Sequence, residues 1–162
     1  MNKDGLAQSE NQIIGLSDYI SQNPLAEELF EKISEDIRTR DMLNSIIISV
    51  SDKTVIPLSG AFILSKTKDP DTQLTVVNYE NWRENELNNL SNDYDRRRFS
   101  RSTNIEVLRT KTRGHEQYSF IAHSVSADGE DHVNKFIFVK LTPDANYILG
   151  TRQEITQSLQ HD

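Results

Sequence analysis

Cysteine does not occur in this chain of 162 residues. Disulfides, thiol catalysis and thiolate metal sites are thereby excluded, while the redox compartment stays open. Basic residues are in the minority: 18 Lys and Arg stand against 25 Asp and Glu, a formal net charge of −7. That balance argues against general nucleic-acid binding, which needs a basic footprint, and against adhesion to an anionic membrane. No run approaches the roughly 18 apolar residues of a membrane span. The opening "MNKDGLAQSENQ" lacks the apolar stretch of a signal peptide. Catalytic signatures are missing too: no glycine-rich phosphate loop, no G-x-S-x-G elbow, no H-E-x-x-H. The expectation is a non-enzymatic protein without a cofactor.

What is present suits a single domain over residues 1–162. Residues 5–44 read as an N-terminal helical region. In "SENQIIGLSDYIS", Ile13, Leu16, Tyr19 and Ile20 recur at helical spacings. Asn23 can cap the next segment, Pro24 suits a first helical position, and Glu27 and Glu28 fit the first turn. Leu25, Leu29, Ile33 and Ile37 then form a stripe, with Phe30 beside it and acidic residues opposite, which predicts one long amphipathic helix. From residue 45 the period changes. "SIIISV" and "VIPLSGAFILSK" read as two strands, "LTVVNY" as a strand or a helix entry, and residues 79–102 as a polar helical excursion. Three further strands are predicted in "TNIEVLRTKT", "HEQYSFIAHSVS" and "VNKFIFVKLTP". Gly114 is expected at positive φ, and Asp128-Gly129 marks a hairpin turn. Residues 150–162 read as an exit helix with Ile155 and Leu159 on its thin apolar face.

The expected class is therefore α+β: a long N-terminal helix on a five-stranded antiparallel sheet, with the helical excursion between strands 2 and 3. The leading helix would cover one face and the excursion the other, leaving a chamber. This order, carried by "NPLAEELFEKISEDIRTRDMLNSIIISVSDKTVIPLSG" and "NKFIFVKLTPDANYILG", resembles the PAS-like sensor folds and, among them, the Cache domains of bacterial extracytoplasmic receptors. The resemblance lies in pattern over almost the whole chain, without a strict motif. It implies the ligand-sensing domain of a two-component-type receptor. Such a domain would bind an organic acid or amino acid, signal through its terminal helices and possess a dimer contact along them. As part of a receptor it would lie outside the cytoplasm; as a complete chain it would be cytoplasmic. Membrane attachment would come only from segments outside this chain. The alternative is an interaction or assembly domain, such as a periplasmic subunit of a secretion machine, docking through the acidic first helix.

Within the excursion, "ENWRENELNNLSNDYDRRRFSRS" holds the only tryptophan and the densest arginine block. Tyr79 and Trp82 would offer flat apolar surface to a ligand, and Arg98 and Arg101 donors to a carboxylate. Tyr118 and His123, on a predicted strand, complete the candidate set. A plainer account competes: Trp82 as a core anchor, the arginines on a solvated face paired to Asp93 and Asp95, and His123 as a satisfied strand residue. Asp128, Glu130, Asp131 and His132 cluster at a hairpin tip, but their spacing matches no calcium loop, and no metal site is expected.

Overall fold

The computed structural model describes residues 11–35, 44–59, 62, 68–125 and 128–155. Seven strands form one antiparallel sheet: β1 (Gln12–Gly15), β2 (Asn44–Ser49), β3 (Thr54–Leu58), β4 (Gln73–Asn78), β5 (Tyr118–Val125), β6 (Asp131–Lys140) and β7 (Tyr147–Glu154). Their order across the sheet is β1-β4-β3-β2-β7-β6-β5. The helices whose bounds lie among the described residues are α1 (Leu16–Gln22), α2 (Ala26–Glu35), α3 (Tyr79–Asn88), α4 (Asp93–Ser102) and α5 (Ile105–Gly114).

This corrects the expected five-stranded PAS-like sheet with a long leading helix. The first segment splits: β1 pairs with β4, and α1 and α2 are short. The break sits at Asn23-Pro24. Asn23 does not cap α2 with its side chain; its Nδ2 donates to the Tyr19 carbonyl, closing α1. On α2, Leu29, Phe30 and Ile33 are buried, while Leu25, just ahead of it, is exposed; Ile37 lies outside the described residues.

Two consecutive buried runs reflect a sheet covered on both sides. Ile47, Ile56, Leu58, Leu74 and Leu149 pack under Leu16, Tyr19, Leu29, Phe30 and Ile33 of α1 and α2. On the opposite face Ile46, Ile48, Val55, Phe136, Phe138 and Ile148 pack under Tyr79, Phe99 and Leu108 of α3, α4 and α5. Two elements change type. "TNIEVLRTKT" is expected as a strand but forms α5. Asn104 caps it by accepting from the Glu106 and Val107 N–H groups. Leu108 and Thr112 are its buried pair, and the Thr110 and Thr112 hydroxyls donate to carbonyls four residues back. Its alternation was too short to separate period 2 from period 3.6. The exit helix is likewise corrected: Tyr147–Glu154 is a strand paired to both β2 and β6, and residues 156–162 lie outside the described residues. Gly114 ends α5 without a positive φ; Gly129 adopts one, at 85°. No helix among the described residues is long and apolar enough to cross a membrane.

Candidate functional site

Asn78 begins the helical layer. Its side chain accepts from the Asn81 N–H and starts α3. Trp82 and Glu86, four residues apart, share the helix face that looks onto the sheet. Beneath them lie Ser45 and Ile46 of β2, Pro57 and Leu58 of β3, Phe136 and Phe138 of β6, and Gly150, Thr151 and Arg152 of β7. Together they line a cavity of about 230 Å³, below the roughly 300–1,000 Å³ of sites for drug-sized ligands.

Gly150 keeps the floor low. A Cβ there would lie 3.1 Å from both Ile46 Cγ1 and Phe138 Cε1. Gly150→Ala is expected to push these side chains apart, costing about 1–3 kcal/mol by overpacking and shrinking the cavity. Thermal unfolding reads the cost. An unchanged Tm would show that the floor has slack.

The cavity's charged groups are Glu86 and Arg152, with Arg152 Nη1 donating to Glu86 Oε1 at 3.4 Å. Their side chains are 17% and 32% exposed. Burial raises the Glu86 carboxyl above its ordinary range, and the Arg152 charge and hydrogen bond pull the other way without cancelling it. Arg152 carries five N–H donors, and Glu86 engages one of them. Among the described residues no other acceptor engages it, so Arg152 keeps donors for an anion beside Phe136 and Phe138.

Of the six residues singled out from sequence, Trp82 lines this cavity and the others do not. Tyr79 is a core residue: it is fully buried and its hydroxyl donates to the Thr103 carbonyl at 2.6 Å. Burial raises the phenol well above its usual value. Tyr118 packs against Phe120 and Phe138. Arg98 lies over the rings of Tyr94 and Phe120 and 3.8 Å from Asp95. Arg101 is exposed on α4.

His123 belongs to a separate cluster at the β5 edge. Asp95, buried on α4, accepts from the His123 backbone N–H and sits 2.9 Å from its Nδ1. Asn92 Nδ2 donates to the same carboxylate oxygen, and the Asp95 N–H donates back to Asn92 Oδ1, capping α4. The loop after α3 completes the seal. The Ser91 N–H donates to the His123 carbonyl, and the Val125 N–H to the Asn89 carbonyl. At the hairpin tip, Asp128, Glu130 and His132 bring ligand-type atoms within 4.8 Å of one another; His132 also contacts Glu154 at 2.8 Å.

Sequence reasoning missed Glu86, Gly150 and Arg152. The i, i+4 relation of Trp82 to Glu86 was a usable signal for the first. Arg152 was hidden by assigning its segment to a helix. No protein-family profile matches the chain, and no curated protein is significantly similar to it in sequence.

Proposed function

We propose that this domain binds a small carboxylate-bearing molecule, such as an organic acid or amino acid, in the cavity between α3 and the sheet. It does so as the ligand-sensing, non-catalytic part of a signal-transduction receptor. The observation that carries the reading is Arg152, which lines the cavity beside Phe136 and Phe138, its side chain 32% exposed, and which among the described residues is engaged only by Glu86. A concave apolar site with a few convergent polar groups is the ordinary form of a small-molecule site.

The sensor role draws on how the cavity is wired. Trp82 faces the ligand space and also contacts Tyr79, with ring centroids 5.5 Å apart, and Phe99, at 6.2 Å. A ligand that moves this ring bears directly on α3 and α4. Arg152 lies on β7, held between β2 and β6, so displacement there reaches three strands. The expected route of the signal is through these elements.

The lone tryptophan makes the test direct. Purified protein is titrated with a panel of short organic acids and amino acids, following Trp82 emission and Tm together. A true ligand at a hundredfold its Kd is expected to add about 2.7 kcal/mol, or roughly 5–10 °C. Arg152→Gln is expected to abolish both responses. A panel that moves neither signal, or a response that survives Arg152→Gln, counts against the cavity.

A further inference from the structure

Glu86 Oε1 engages Nη1 of Arg152, so a ligand carboxylate seated on the Nη1–Nη2 edge meets it directly. That oxygen is the one acceptor that the guanidinium engages among the described residues. A ligand carboxylate taking the guanidinium fork in two parallel hydrogen bonds competes with it. Once displaced, Glu86 has no second cation to turn to among the described residues. Arg83, three residues back on α3, is committed to Glu80, Thr103 and Ser100. On β7, Glu154 is another anion, already in contact with His132 of β6. The lining from β2, β3 and β6 is Ser45, Ile46, Pro57, Leu58, Phe136 and Phe138, none of them charged. A mostly buried carboxylate without a partner is costly, and it relieves that cost by taking a proton.

We infer that ligand binding here is proton-linked: an anionic ligand displaces Glu86 from Arg152, and Glu86 takes up one proton from solvent as the ligand enters. This rests on the cavity reading above. Charge is conserved in the site. Before binding it holds one guanidinium and one carboxylate. Afterwards it holds the guanidinium, the ligand carboxylate and a neutral Glu86, so the ligand and one proton enter together. No covalent bond changes. Glu86 acts as an internal competitor, and the burial that already holds its carboxyl above the ordinary range favours the exchange. By linkage, affinity for a carboxylate falls as pH rises, by up to about tenfold per unit.

The probe is 4-methylpentanoate, a compact branched monocarboxylate, with L-leucine as its amino-bearing counterpart. Calorimetric titrations from about pH 6 to about pH 8 in phosphate and in Tris, whose ionisation enthalpies differ, count the protons exchanged. For 4-methylpentanoate the expected result is uptake of close to one proton and the pH slope just given. Glu86→Gln, which keeps the shape and cannot titrate, is expected to bind the same probe with no proton exchange, no pH dependence and about tenfold tighter at neutral pH. Arg152→Gln is expected to bind neither probe. Wild-type binding without proton uptake overturns the inference while leaving the cavity in place. So does tighter, proton-neutral binding of L-leucine, its ammonium pairing with Glu86. Failure of both probes to bind either the wild type or Glu86→Gln overturns the cavity reading together with the inference.

Discussion

Replacing Phe99 with alanine is expected to cost about 3–5 kcal/mol of stability, the range for emptying an aromatic site in a core. Phe99 is fully buried and is the hub of the helical layer. Its ring lies 5.2 Å from Phe136, 5.8 Å from Phe120 and 6.2 Å from Trp82, centroid to centroid. The first two belong to the sheet and the third to α3, so one side chain joins three elements. Urea unfolding followed by Trp82 emission reads the loss as a lower midpoint. The native emission should also change, because the void opens beside the indole. Phe99→Leu, which restores much of the volume, is expected to recover most of the stability. A loss below about 1 kcal/mol for the alanine variant would mean that α4 is not seated on the sheet as described.

Asp95→Asn is expected to cost about 2–3 kcal/mol at neutral pH, the scale of hydrogen bonds to a charged group. The carboxylate is nearly inaccessible and accepts from the His123 N–H, its imidazole and Asn92. Burial pushes its pKa up, but these hydrogen bonds together with the His123 charge outweigh burial and hold the carboxyl below its ordinary value. The sign of the pH dependence follows. A lowered folded-state pKa means that the unfolded chain binds the proton more readily. The stabilisation is therefore fully present above about pH 4, the unfolded aspartate value, and is lost as pH falls through the folded-state value. Measured by urea unfolding, the gap between wild type and Asp95→Asn should be wide at neutral pH and close on acidification. A gap of constant size would show that the variant disrupts packing and not a charged network.

Much of the sheet could be read from its residues, and the reasons for the misses are physical. Ile46, Ile47 and Ile48 announced a doubly covered strand because β-branched residues on both faces leave no solvent side. Phe136, Ile137 and Phe138 did the same for β6. The first segment misleads because Ile13, Leu16 and Tyr19 fit a helical spacing, whereas β1 exists only through its pairing with β4, some 60 positions away in sequence. Long-range pairing of this kind leaves no local mark. The α5 error was avoidable. Asn78, Asn92 and Asn104 each cap a helix, and a third asparagine ahead of an Ile-Glu-Val run carried the same start signal as the first two. The site was less legible than the fold. Trp82 drew attention as the sole tryptophan, but the arginine that faces it comes from residue 152, seventy positions later. Arg96, Arg98 and Arg101 looked richer and proved to belong elsewhere: Arg96 donates to the Leu90 carbonyl and pairs with Asp93, and Arg98 stacks on rings.

The sealed border of β5 bears on how the molecule behaves when crowded. A strand at the end of a sheet normally offers its free amides and carbonyls to any passing chain, which is how templated stacking begins. Here the His123 amide is spent on Asp95, its carbonyl on Ser91, and the Val125 amide on Asn89. Along that stretch, from His123 to Val125, a foreign strand finds no ladder to join, and the groups that block it also hold the helical layer in place.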